Sequence, residues 1–412
     1  MRCSFCSTIH SNEVIDMLFK NRTLFAMLTL ALIMIGCSSR PVSSPVAVPT
    51  ATPSTTVPTV APTVAPTIAP TPIPTSTPNT ASMSKTLLVT HSKSDYMSFL
   101  DPATGQFEKL TVGKAPFAIA VGPNHRAYIS TAEGVAVVDT QQRKRIALVP
   151  YQAADAIGKP QYGEYRPGGM GIAVSPDGKF VYVGVYLTGR GAGRGVKSQL
   201  EIMDAEKLAM TGIVAVGVRP FDVVTSIDGR EVYSIDHDSY SVTAVDPVQL
   251  KARTLEAAPF GKGGFEKPHY AAVRADGRLL LPYQGRGLVV LDPASGKYET
   301  KPLTGNTHQE GVALTADGEQ LLIVGIGAAG SATGKPNLTV LDVGTYAERI
   351  FPLDRVHQMV AASADGRYAY LTGGVTYADT GWDGMTVVDL VSGDVRDFEV
   401  PDYPLDVQLL SE

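Results

Sequence analysis

Past residue 84 the chain alternates in short apolar and polar runs, with no sustained helical stripe. Residues 232–246, VYSIDHDSYSVTAVD, show the pattern in fullest form. VYSID has period two and is rich in β-branched and aromatic residues; the polar HDSY interrupts it; SVTAV resumes the alternation up to Asp246. Period two on both sides of a turn predicts a β-hairpin. Immediately upstream, RPFDVVTSIDGR is another alternating stretch, closed by the turn dipeptide Asp228-Gly229. Together they predict three consecutive antiparallel strands, and variants of the unit recur to the C-terminus.

Two marks count the units. The first is a strand that ends in an Asp and opens a turn, at Asp101, Asp139, Asp204, Asp246, Asp292, Asp342 and Asp389. Asp suits that place because its carboxylate accepts the backbone amides of the turn. The second is a strand before a tight turn: PFAIAVGPN, GMGIAVSPDG, PFDVVTSIDG, HYAAVRADG, EGVALTADG, HQMVAASADG and the terminal YPLDVQLL. Both marks occur seven times. The last copy lacks its hairpin partner, and the first, TLLVTHSKSDYMSFLD, lacks its leading strand. The pattern predicts an all-β, seven-bladed β-propeller of four antiparallel strands per blade over about residues 85–410, closed by pairing the N- and C-terminal strands.

The first 83 residues read differently. Lys20 and Arg22 precede an apolar run from Leu24 to Ile35, short for a membrane span, that ends at Gly36-Cys37. The box Met34-Ile35-Gly36-Cys37 resembles a bacterial lipoprotein signal, which implies acylation of Cys37 and a lipid anchor in the cell envelope. Met17 stands at the natural start of that signal. Residues 38–83 are dominated by Pro, Thr, Ala, Val and Ser. Recurrent prolines favour polyproline II and withhold ladder donors, so this stretch is expected to be a stalk. The propeller itself is expected at 84–412, facing the periplasm or cell exterior.

A formal charge of −5 argues against a nucleic-acid partner. The three cysteines, Cys3, Cys6 and Cys37, all precede the repeats, so the fold rests on its apolar core rather than on disulfides.

The phrase VYSIDHDSYSVTAVD preceded by RPFDVVTSIDGR resembles the YVTN family of β-propeller repeats, which implies the fold and carries no shared catalytic motif. KPHYAAVRADGRLLLPY at 267–283 is similar to a Pro-x-His phrase of seven-bladed lactonases. That resemblance implies a lactone-handling role for His269, with Glu266 and Arg166 as neighbouring candidates. Seven-bladed propellers resembling this one also serve as subunits of periplasmic dehydrogenases. With no C-x-x-C-H motif, this chain would be an accessory subunit there.

Turns between the innermost and second strands are uniformly short, whereas loops on the opposite face swell at 150–168, 186–199, 256–268, 325–337 and 373–384. Loops held out by a rigid scaffold are where binding usually lives, so the site is expected on that face. There, His269, His308 and His357 open three successive innermost strands, with Glu266 and Glu310 nearby; His91 and His237 end second strands at the same level. Imidazoles and carboxylates are ligands for a divalent metal. Alternate strand positions point opposite ways, however, so all three strand-opening histidines are not expected to converge. Arg190 and Arg194 could grip an anion, and Tyr377 and Trp382 could anchor a ligand or pack over the rim. Asp222 and Asp406 occupy equal places and are expected to face a wet channel. No complete catalytic constellation is legible. The leading expectation is a monomeric, lipid-anchored binding or scaffold module for an envelope protein, a glycan or a small ligand. The alternatives are a lactonase-like or other metal-dependent hydrolase, and an accessory redox subunit.

Overall fold

A computed structural model describes residues 86–163, 166–187, 198–264, 266–285, 287–305, 308–330, 332–375 and 380–410. The signal with Cys37, the stalk, Arg190, Arg194 and Tyr377 lie outside the described residues. The rest forms seven four-stranded antiparallel sheets arranged as a ring. Blade 1 joins Pro404–Leu409 to Leu87–His91, Tyr96–Leu100 and Phe107–Thr111. Here the C-terminal strand pairs with the first described strand, Leu87 opposite Leu409 and Val89 opposite Val407. Blades 2 to 7 start, from the innermost strand outwards, at Ile119, Gly168, Pro220, Ala272, Gln309 and Val360. The propeller expected from the two sevenfold marks is the fold observed.

Each mark has a local cause. All seven Asp residues accept backbone N–H groups of the turn they open, as at Asp139, which receives Gln141 and Gln142, and Asp246, which receives Val248 and Gln249. The tight turns place their glycines at positive φ, for example Gly178 at +72° and Gly318 at +73°, a region where L side chains are strained.

Second and third strands are buried on both faces, and their alternate side chains meet the preceding and following blades. Seven apolar clusters result, one per blade interface; Leu279, Leu281 and Val289 of blade 5, for instance, pack on Tyr233, Ile235 and Val242 of blade 4. Burying such side chains is worth about 1.5–3 kcal/mol each. The outermost strands, such as FEKLT and ERIFP, are largely exposed and carry charges, which blunts their free edges.

Innermost strands crowd the axis. A Cβ on Gly171 would stand 2.4 Å from the Cα of Asp222, and one on Gly311 would stand 2.6 Å from the carbonyl of Gln358. The ladders of blades 1, 3, 4 and 6 are interrupted by bulges at the start of the innermost strand, as between Gln309 and Val312. Bulges re-aim side chains, and these sit where the channel mouth is built.

Candidate functional site

Ladder register aligns the seven innermost strands. Ile119, Ile172, Val223, Val312, Val360 and Val407 face equivalent second-strand residues. Two residues ahead of them stand Phe117, Met170, Phe221, Glu310, Gln358 and Leu405. The pairing of Val273 with Leu279 puts His269 in the same place in blade 5. Read round the ring from blade 1, this position runs Leu405, Phe117, Met170, Phe221, His269, Glu310, Gln358. Four successive blades supply apolar side chains and three supply polar ones.

The apolar four pack into one buried cluster. The polar three form a network: the Glu310 carboxylate lies 2.8 Å from His269 Nδ1 and accepts the Gln358 amide at 2.8 Å. His308, two residues before Glu310 and therefore on the same side of the strand, brings Nε2 to 3.0 Å from the second carboxylate oxygen. Ligand atoms of His269, His308 and Glu310 all lie within 4.8 Å of one another, and all three residues are buried. His357 stands one residue before Gln358. Period two turns it away, and its Nε2 meets Thr386 Oγ1 at 2.6 Å inside its own blade. Two of the three strand-opening histidines thus converge, and parity selects which two.

The donor set fits a cation. The Gln284 amide nitrogen lies 2.6 Å from His308 Nε2 and 2.9 Å from His269 Nε2. If His308 Nε2 accepts from that amide, its lone pair faces the Glu310 oxygen at 3.0 Å; if it donates to Glu310, its hydrogen faces the amide hydrogens. With neutral imidazoles one nitrogen cannot serve both, and turning the amide about moves the conflict to His269, where an imidazolium would relieve it. A cation between His308 Nε2 and Glu310 would satisfy both lone pairs at once. Two imidazoles and one carboxylate are the donors of an open catalytic zinc site. Burial opposes ionisation of Glu310, but the His269 and His308 imidazoles outweigh it and hold the carboxyl well below its usual range.

Sequence reasoning missed Gln284 and Gln358, because amides at strand ends carry no motif. It named His237 but not its setting. The ring stacks on His269, centroids 4.3 Å apart at 22°, and Nδ1 lies 2.9 Å from Asp238. Its buried Nε2 meets no partner among the described residues. Burial, and then His269, push this imidazole well below its ordinary value. Asp238 is also held by Lys267 and Arg219, each at 2.8 Å.

The remaining candidates are structural or stand apart. Asp222 accepts the backbone N–H of Ala271 in the next blade, and Asp406 accepts that of Ile119 in the next blade, so each carboxylate staples adjacent innermost strands. Desolvation pushes Asp222 up to about 6 and Asp406 up to about 7. His91 sits between the Pro401 carbonyl and Ser98 Oγ. Trp382 donates to the Val356 carbonyl and lies on Gly373 and Gly384, where any Cβ would collide with its ring, so it packs blade 7. Glu266 is buried and is not one of the three converging residues. Arg166 is buried beside Phe117, on the apolar side of the mouth. A separate hollow of about 500 Å³ opens among the short turns of blades 3 and 4, lined by Asp177, Tyr182, Asp228 and Val248. It holds no histidine.

No protein-family model matches the chain, and no curated relative matches its sequence. Solved structures do match. A candidate 6-phosphogluconolactonase from Bacteroides fragilis is 14% identical with a TM-score of 0.54, covering 81% of this chain and 100% of that one. Kuenenia stuttgartiensis hydrazine synthase is 17% identical with a TM-score of 0.53, covering 77% and 93%. The dihydro-heme d1 dehydrogenase NirN is 15% identical with a TM-score of 0.52, covering 79% and 75%. At these identities the likeness is one of fold.

Proposed function

We propose that this protein is a metal-centred envelope propeller, with a divalent transition metal held by His269, His308 and Glu310 at its loop-rich mouth. The observation that carries the reading is the convergence of those three buried donors within 4.8 Å. Two imidazoles and a carboxylate leave a coordination position open, and a metal so held supplies Lewis acidity toward a carbonyl or a bound water. The reaction class is hydrolysis of a small ester or lactone. Gln284 and Gln358 orient the donors through their amides, and the stacked His237 offers a bare acceptor beside them. The acylated Cys37 and the Pro/Thr stalk would carry this site away from a membrane in the bacterial envelope, where binding of an envelope protein or glycan by the long loops is compatible with it.

The test is elemental analysis of the purified full-length chain, kept free of chelator and dialysed. About one zinc, manganese or iron per chain is expected. His269→Ala should lose it, and His357→Leu, whose ring faces away, should keep it. A metal-free, folded wild type overturns the reading. Metal without turnover of ester and lactone panels would retain the centre and remove the hydrolase.

A further inference from the structure

On the face of the short turns, arginines bridge neighbouring blades, and most of them meet the same backbone group. At four interfaces the carbonyl of the residue after the turn-opening Asp accepts a guanidinium from the preceding blade. Arg126 donates to Ala205 at 2.6 Å, Arg253 to Pro293 and Arg349 to Leu390 at 2.8 Å each, and Arg396 to Pro102. Two further interfaces are bridged by Arg143 to Glu108 at 2.7 Å and by Arg274 to the Tyr346 hydroxyl at 2.8 Å. The interface of blades 3 and 4 has no such bridge among the described residues. Ladder register gives the reason. Arg253, Arg349 and Arg396 stand on outermost strands opposite the second residue before the Asp, and blade 3 has Gly212 there. Arg126 stands opposite the Asp itself, and blade 3 has Phe180 there.

The hollow of about 500 Å³ lies at that interface, with Phe180, Tyr182 and Val248 in its wall. Pro247, which follows the turn-opening Asp246, also lines it. Nothing among the described residues donates to the Pro247 carbonyl, and Pro247 is partly exposed where Ala205, Pro293, Leu390 and Pro102 are buried. Tyr182 is 2% exposed, yet its hydroxyl has no hydrogen-bond partner among the described residues. Asp177 and Asp228 complete the lining. The Ser175 hydroxyl, and then Lys179, hold Asp177 down to about 2; the Arg230 backbone amide, and then the Ser226 hydroxyl, hold Asp228 below its usual range. Both are anions at neutral pH. Their partners, Lys179 at 3.0 Å and Arg230 at 3.4 Å, are largely exposed, and such surface pairs contribute little. The hollow thus presents what other interfaces give an arginine. Arg253 has the Glu231 carboxylate at 2.7 Å beside its carbonyl, and Arg349 and Arg396 lie over Phe351 and Phe398 at 5.6 and 5.3 Å.

We infer that the hollow between blades 3 and 4 is a recognition site for an arginine side chain of a partner polypeptide. The guanidinium donates to the Pro247 carbonyl and to the carboxylates of Asp177 and Asp228, and the apolar stem lies along Phe180, Tyr182 and Val248. A planar fork with five N–H donors serves several acceptors at once and stacks on aromatic faces, which an ammonium does less well. A hollow of this volume is of the size that small ligands and single side chains occupy. The site faces away from the loop-rich mouth and stands independently of the metal-centred reading.

The experiment is thermal unfolding and calorimetric titration of the full-length chain with n-butylguanidinium, n-butylammonium, the neutral isostere n-butylurea, and the peptide acetyl-Gly-Arg-Gly-amide. n-Butylguanidinium and the peptide should raise the unfolding midpoint in a saturable way, as any ligand of the native state does. n-Butylammonium should do so less, and n-butylurea hardly at all. Gly212→Arg gives blade 3 the arginine that blades 4, 6 and 7 carry. It should unfold at a higher temperature and lose the response to n-butylguanidinium and to the peptide. A Cβ there would stand 3.0 Å from Leu250 Cδ2, the end of a largely exposed side chain that can give way. Phe180→Arg, which copies Arg126 of blade 2, is the second variant and should show the same loss. Asp228→Asn should weaken binding about fivefold, and His269→Ala should leave it unchanged. No saturable shift with either guanidinium probe overturns the site. So does an equal response to n-butylurea, or wild-type binding by both arginine variants, or loss of binding in His269→Ala. An equal response to n-butylammonium overturns the preference for a guanidinium. Binding of n-butylguanidinium without binding of the peptide overturns the partner polypeptide and leaves a small guanidinium compound as the ligand.

Discussion

The two arcs of the mouth are built from one backbone position and do opposite things. In blades 1 to 4 that position is Leu405, Phe117, Met170 and Phe221, packed dry against one another. In blades 5 to 7 it is His269, Glu310 and Gln358, joined by contacts of 2.8 Å. Ladder register gives all seven residues the same place on their innermost strands. The two arcs differ in which side chain each blade sets there, and that teaches where this fold tolerates chemistry. A sevenfold ring supplies seven equivalent inward vectors. Four that are filled with apolar mass seal and stiffen the axis, which leaves the other three free to carry groups that cost stability. A polar group buried without partners costs about 1–3 kcal/mol, so the polar arc persists only because its members satisfy one another.

Three substitutions would break or sharpen that contrast. The largest effect is expected from Glu310→Leu, which sets an apolar side chain in the middle of the polar arc. On the metal-centred proposal it should take bound metal from about one per chain to background, read by elemental analysis, while the far-ultraviolet spectrum stays that of a β-propeller. A variant that still binds metal would remove Glu310 from the centre.

Next is Phe221→Ala on the other arc. A buried aromatic truncated in a packed cluster costs about 3–5 kcal/mol, to be read from denaturant unfolding, and metal content should be unchanged at temperatures where the variant is folded. A cost under about 1 kcal/mol would show that the wall is not a packed core.

The third effect is pH-dependent and concerns Asp406, whose carboxyl lies behind Leu405 and is pushed up to about 7 by burial. A folded-state value above the unfolded one means that the native protein holds the proton more tightly. The group's contribution is then present in full below about pH 4 and is lost as the pH rises through 7. For a shift of this size the loss is on the order of 4 kcal/mol. Asp406→Asn should flatten the fall in unfolding midpoint between pH 5 and pH 8. It should also lose part of the stapling, because an amide oxygen accepts only one of the two N–H groups, from Ile119 and Val407, that the carboxylate holds. An unchanged pH profile would remove Asp406 as its source.

Much of this molecule is written in the chain. Seven turn-opening aspartates, six tight turns and one unpaired terminal strand gave the blade count, since turn chemistry is local and each Asp needs only the next two or three amides. The split end copies anticipated the pairing of Leu87 with Leu409. Period two also decided which histidines could meet: His308 shares parity with Glu310, and His357 does not share parity with Gln358. The sequence did not contain the identity of the partners. Gln284 reaches His269 and His308 from the end of a different strand, and Gln358 reaches Glu310 from a different blade. Asp222 and Asp406, expected to need a wet channel, instead accept amides of the next blade. Periodicity and turn residues fix local conformation through interactions a few residues long. The site depends on which inward vectors of a closed ring become neighbours, and those are set only when strands distant in the chain are brought round the same axis.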